Sequence, residues 1–180
     1  NQKGICIFAN RGGTTLKHKN NSANNVTIFG STFGYKDVFE FNLQSGRYFS
    51  MQEASGATNV AIIGVKIKEQ LFPNGEAENK EIKIRGLKFT IIGVFEEEGE
   101  SLLDTPSSDE LVVIPYLAFK KMYYTGRSSG TESVLAVKGL DNDEDLQILQ
   151  GELTGLMRSV RGLKPREENN FELNRPEAIA

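Results

Sequence analysis

Apolar residues fall along this chain in short runs separated by turn formers, and the spacing inside each run predicts its conformation. Gly4 to Asn10 reads as a strand, Arg11 to Asn25 as a loop rich in Asn, Gly and Lys, and Val26 to Gly30 as a second strand, giving a hairpin with a long loop at its tip. Phe33, Tyr35, Val38, Phe39, Phe41 and Leu43 follow as an aromatic cluster, leading into Ser45-Gly46-Arg47, where the glycine is expected to take a backbone conformation closed to other residues. Val60 to Gly64 is continuously apolar and branched, as a buried strand would be, and Val65 to Phe72 predicts a short helix stopped by Pro73. The clearest hairpin comes next: Ile82 and Ile84 alternate with Lys83 and Arg85, Gly86 breaks the run, and Phe89 to Phe95 resumes it.

Glu96 to Asp109 is dense in carboxylates and predicts an exposed loop. Leu111 to Ile114 returns as a buried strand, Pro115 can open a helix running through Phe119 and Met122, and Gly126 to Gly130 reads as a flexible joint. The last part predicts strand Ser133 to Lys138, a helix from about Asp143 to Arg161, a loop, and strand Phe171 to Asn174. Within that helix Leu146, Leu149, Leu153, Leu156 and Val160 recur at spacings of three and four, one apolar stripe that calls for a sheet to cover it. Strand, helix and strand in this order suggest a right-handed crossover between parallel strands, or a split version with another strand between them.

Bulk properties narrow the function classes. With 180 residues, 38% of them hydrophobic, the chain has material for a packed core. Lys plus Arg number 21 against 24 Asp plus Glu, a net charge of -3, which leaves no broad positive field for a nucleic-acid backbone or an anionic lipid surface. The single cysteine, Cys6, cannot pair within the chain and reads as a small strand hydrophobe. Leu111 to Phe119, the longest apolar run, contains Pro115 and falls far short of the roughly 18 residues of a membrane-spanning helix. Lacking an initial Met and a signal segment, the chain reads as a piece of a longer protein.

Candidate chemistry is sparse. His18 is the only histidine and sits among polar residues with no metal-ligand spacing around it, so it reads as a solvated loop residue. No Gly-x-Ser-x-Gly elbow or cysteine nucleophile motif occurs. Arg11-Gly12-Gly13 and Gly126 to Gly130 are glycine-rich, yet neither carries the Gly-Lys-Ser/Thr ending of a phosphate loop or opens a helix after a suitable strand. Glu96-Glu97-Glu98, Asp104 and Asp109 could serve acid-base work only if folding gathered them in a cleft; a solvated charge run is the default. Asp141-Asn142-Asp143-Glu144-Asp145 with Glu152 at the twelfth place imitates a calcium loop, but Leu146 stands where that loop needs glycine. Those acids read instead as a first helical turn opposing the helix dipole, capped by Asn142 or Asp141. No catalytic, cofactor-binding or metal-binding residue is assigned.

One ordered series of short motifs is more specific. Gly46-Arg47-Tyr48-Phe49-Ser50 precedes the acidic Glu53; Val60-Ala-Ile-Ile-Gly64 and Leu71-Phe72 follow, then Ile82-Lys-Ile-Arg-Gly86, Phe89-Thr-Ile-Ile-Gly-Val94 and Val112-Val-Ile-Pro115. From about Val26 to Asn174 this resembles the extracytoplasmic core domain of ABC-transporter permeases of the MacB/FtsX type. The resemblance implies an α+β, two-lobed single domain over 1–180. A β-rich, sabre-like lobe would cover about 26–126, and a porter-like lobe about 131–180, with 1–25 as a candidate addition and its N-terminal part missing. It further implies a membrane permease subunit whose periplasmic or extracellular domain, itself no enzyme, transmits ATP-driven motion to export or extract a peptide, antibiotic or lipid-linked substrate. Expected partners are a second permease copy in a dimer, a cytoplasmic ATPase reached through the membrane helices, and a periplasmic adaptor, lipoprotein or hydrolase, with no nucleic acid and no cofactor. Rival readings within the family are a lipoprotein-releasing permease domain, for which Phe33, Tyr35, Phe39 and Phe41 would be candidate contacts, and a module that binds and activates a cell-wall hydrolase.

Overall fold

The computed structural model describes residues 4–39, 41–97, 108–123, 131–140 and 146–174. They fall in two compact units, Gly4–Val137 and a C-terminal segment from Lys138 onward. The larger unit opens with β1 (Gly4–His18) and β2 (Asn21–Ser31), antiparallel partners joined by a two-residue turn at Lys19 and Asn20, where Lys19 has φ 51°. This corrects the long loop expected over Arg11 to Asn25. Those residues are the two arms of the hairpin, and they are strand because Thr14, Leu16, Ala23 and Val26 alternate into the core while Thr15, Lys17, Ser22 and Asn24 face outward.

After a short helix α1 (Tyr35–Val38) come β3 (Leu43–Gly46), α2 (Met51–Ser55), β4 (Val60–Ile63) and α3 (Val65–Leu71). Then follow β5 (Glu81–Ile84), β6 (Leu87–Phe95), β7 (Leu111–Pro115) and α4 (Tyr116–Met122). The pairings β1–β2, β2–β7, β7–β4, β4–β6, β6–β5 and β5–β1 form a closed cycle, with β3 added to β6 and β8 (Val134–Lys138) to β1. Closure satisfies backbone groups that an open sheet would leave at its edges.

Strands β4 and β7 and the second half of β6 are apolar on both faces because each face has a core there. Ala61 and Ile63 of β4, Val112 and Ile114 of β7, and Ile82 and Ile84 of β5 join Leu16, Ile28, Leu71 and Phe119 in the larger cluster. Val60, Ile62 and Val113 point the other way, into an aromatic cluster with Tyr35, Phe49 and Phe95. Strand β6 switches sides midway: Phe89 and Ile91 belong to the first core, Ile92 to the second, Val94 to the first again. The cause is a bulge, since Ala61 pairs with Ile91 but Ile62 pairs with Gly93, which passes over Ile92. Helix α4 lies on β2 at Gly30, where a Cβ would overlap the Phe119 side chain.

In the C-terminal unit, α5 (Gln147–Val160) begins at Gln147 rather than Asp143; Leu146, in the left-handed region at φ 54°, precedes it. Asp141 to Asp145, with their expected cap, lie outside the described residues. Of the expected apolar stripe only Leu149 is buried, Leu156 and Val160 being 60% and 74% exposed. Leu149 and Leu146 press on Gly139, where a Cβ would approach their Cδ2 atoms to 3.3 Å and 2.7 Å. Phe171 to Asn174 is no strand, so the expected strand-helix-strand unit is not formed by the described residues. Arg158 instead gathers the turns beyond α5, donating to the carbonyls of Glu167 and Lys164 and to Asn169 Oδ1 at 2.6–2.9 Å.

Candidate functional site

Three places in the larger unit were candidates for chemistry or contact. The first is the segment Gly46 to Glu53. Gly46, at φ 81°, brings β3 so close to β6 that a Cβ would strike the Ile92 carbonyl, and Gly93 answers it, a Cβ there coming 2.8 Å from the Arg47 carbonyl. Arg47 then donates from both terminal nitrogens to the two Glu53 carboxylate oxygens at 2.8 Å each. Ser50 caps α2: its Oγ accepts from the Glu53 N–H at 3.2 Å, while its own N–H donates to Glu53 Oε2 at 2.8 Å. The Arg47 fork, aided by the Ser50 donors, holds the Glu53 carboxyl at about 2, well below its ordinary 4.5. A carboxylate committed to three partners serves architecture, not proton transfer.

The second is the aromatic cluster. Tyr35 is buried, and Phe33, Phe39 and Phe41 are half-buried among rings. Tyr35 lies 4.7 Å from Phe39 and 5.5 Å from Phe41, and Phe41 meets Phe95 edge-on at 5.3 Å. Of the candidate contacts for a lipidated client, Tyr35, Phe39 and Phe41 pack against the outer face of β4, β6 and β7, while Phe33 lies against the Tyr48 ring at 6.3 Å. Within the cluster the Tyr48 hydroxyl is buried with no hydrogen-bond partner among the described residues, and burial raises its phenol far above the usual tyrosine range.

The third is an open groove of about 480 Å³ lined by Arg11–Thr15, Arg85 and Tyr123. Its floor is a bulge: Arg11 pairs with Ile28 and Thr14 with Val26, so Gly12 and Gly13 together face Thr27, and Gly13 takes φ 72°. Thr14 Oγ1 and the Tyr123 hydroxyl share a buried hydrogen bond at 3.0 Å. Arg85 stacks over the Tyr123 ring at 4.8 Å and donates through one nitrogen to the Met122 carbonyl at 3.3 Å.

The remaining candidates do not come together. His18 is not a free loop residue: its Nδ1 bonds the Glu81 carbonyl oxygen at 2.7 Å and its ring packs 4.3 Å from Phe72. Glu96 and Glu97 are exposed beyond β6, whereas Asp109 is buried in the 3₁₀ turn before β7, against the exposed loop expected there. Asp104, Glu98 and Gly126 to Gly130 lie outside the described residues. Among the described residues no His, Cys, Asp and Glu cluster could hold a metal, and no helix is long and apolar enough to cross a membrane. Cys6 is buried, which pushes its thiol up to about 11.

Comparison with known proteins agrees with this picture of a packed domain. Residues 7–156 match the family described as the MacB-like periplasmic core domain. An uncharacterized ABC transporter permease of Bacillus subtilis, YvrN, is 25% identical over 147 residues, covering 81% of this chain and 34% of that protein. The pyoverdine export ATP-binding/permease protein PvdT of Pseudomonas aeruginosa is 29% identical over 107 residues, covering 59% of this chain and 16% of that protein. The crystal structure of the extracellular domain of the transporter YknZ from Gram-positive bacteria superposes with a TM-score of 0.70 at 21% identity, over 91% of this chain and 78% of that one, and so shares the fold.

The family match and the shared fold together define a periplasmic core domain of the ABC-permease type. The chain belongs to the MacB-like periplasmic core domain family, and it spans about a third or less of the two curated relatives named above.

Proposed function

We propose that this domain is the non-catalytic extracytoplasmic lever of an exporting permease, coupling ATP-driven motion on the far side of the membrane to movement of a substrate. The observation that carries the reading is the closed cycle of strands with a core on each face, pinned at β3 by Gly46 and by the Arg47–Glu53 fork. A lever must move as one body, and closed pairing with two-sided packing resists local deformation. The β-rich unit would correspond to the sabre-like lobe and the segment from Lys138 to part of a porter-like lobe. In the intact protein two copies would pair, and a cytoplasmic ATPase would drive them through flanking membrane helices. A relative whose name records pyoverdine export with an ATP-binding part supports the export reading.

The test replaces residues 4–174 in the complete permease by a flexible linker and compares compounds secreted by a null strain complemented with each form. Retained assembly with the ATPase but lost secretion is expected. Undiminished secretion would overturn the reading.

A further inference from the structure

The groove at Arg11, Gly12, Gly13 and Arg85 plays no part in the lever, yet it holds the features of an anion subsite. Among the described residues neither arginine has a carboxylate partner: the ion pairs there engage Arg47, Lys66 and Lys88. Arg85 is pre-oriented by the Tyr123 ring and the Met122 carbonyl, which use one face and one nitrogen of its guanidinium and leave the other donors free. The Gly12–Gly13 bulge takes its extra residue out of the strand ladder, and around Gly13 there is open space, with nothing within 4 Å of where a Cβ would be. Next along β1, Lys17 faces Lys83 of β5 across the ladder, like charges that strand pairing alone disfavours. Lys83 in turn pairs with Lys88, of which Glu81 neutralises one charge at 2.9 Å. In a chain of net charge -3, the strands that carry the groove thus also carry lysine charge, unpaired among the described residues, at Lys17 and Lys83.

The geometry points to a binding site for a phosphate-class oxyanion, held by the free donors of Arg11 and Arg85 over the glycine bulge. Guanidinium forks match phosphate oxygens two at a time, and two such forks with an adjacent bulge offer more donors than one carboxylate can accept. This differs from the phosphate loop sought at Arg11-Gly12-Gly13 in the sequence, because the glycines sit inside a strand and open no helix. Free phosphate esters and lipid headgroups carry the same group.

The experiment titrates the ¹⁵N-labelled 180-residue chain with inorganic phosphate at constant ionic strength, with chloride and acetate as controls. Saturable shifts at the amides of Gly12, Gly13 and Arg85 are expected. Affinity should fall about tenfold or more in the R11Q/R85Q double variant, severalfold in R11K/R85K, which keeps charge but loses the fork, and only about twofold in K17Q/K83Q. Phosphoethanolamine in solution, and vesicles of phosphatidylglycerol against phosphatidylcholine, then separate a soluble ester from a headgroup as the source. Acetate binding as well as phosphate, shifts that never saturate, or an affinity unchanged in both arginine double variants would overturn the proposal. Because R11K/R85K preserves charge and bulk, it decides the matter even if R11Q/R85Q fails to fold.

Discussion

Arg47 and Glu53 face each other through two parallel 2.8 Å hydrogen bonds, and the same carboxylate closes the capping box of α2. One side chain therefore ties the chain leaving β3 to the helix that leads into β4. Glu53 ionises at about 2 in the folded protein against 4.5 ordinarily, a depressed value. Its contribution is thus fully present above about pH 4.5 and is lost as pH falls toward 2. Glu53→Gln should lower stability at pH 7 by about 0.5–1 kcal/mol, the loss of an exposed charged bidentate pair whose Arg47 side chain is 56% exposed, since Gln can still accept from the Ser50 N–H in the capping box. The gap between variant and parent should shrink below pH 3, as urea unfolding at pH 7 and pH 2.5 would reveal.

Gly46 and Gly86 share nearly the same backbone, φ 81° and φ 83°, but not the same surroundings. An added methyl at Gly86 meets nothing within 4 Å, so Gly86→Ala should cost only the left-handed penalty of about 1–2 kcal/mol. At Gly46 the methyl strikes the Ile92 carbonyl, and Gly46→Ala should cost clearly more and expose the β3 amides to hydrogen exchange. Equal losses in thermal unfolding would show that β3 is not held by this close approach.

Two tyrosine hydroxyls predict opposite outcomes. Removing the unpartnered hydroxyl in Tyr48→Phe should leave stability unchanged or raise it by about 1 kcal/mol, since a buried polar atom without a partner is a cost. Tyr123→Phe deprives Thr14 of its 3.0 Å partner and should lower stability by about 1–2 kcal/mol. Guanidinium unfolding of both variants makes the comparison.

Much of the central region was legible because its local signals and its tertiary role agree. Val60–Ile63 is buried on both faces as its unbroken apolar run implies, and the Ile82/Ile84 alternation matches β5. The hairpin arms over Arg11 to Asn25 were not legible, because their inward positions include Thr14 and Ala23, too polar or too small to mark a period, and a two-glycine bulge breaks the alternation. Leu156 and Val160 show the reverse failure: helical spacing indicates which residues share a face but not whether anything covers it. Closure of the strand cycle joins β1 to β5 across more than sixty residues at Leu16 and Ile84, a pairing that no local pattern encodes. The Arg47–Glu53 pair stood in the sequence as a motif, but its bond did not, and Arg85 met Arg11 in one groove only through the fold.

The most direct test of the lever uses the complete transporter carrying Ser22→Cys and Gln52→Cys spin labels, exposed positions in the larger unit, with Cys6 buried and its thiol raised to about 11 so that it stays unlabelled. Pulsed electron resonance then compares nucleotide-free and ATP-bound states. The account predicts an unchanged distance between the two labels of one copy and a shifted distance between Gln52→Cys labels of paired copies. A changing distance within one copy, or no movement between copies while substrate is still exported, would contradict it.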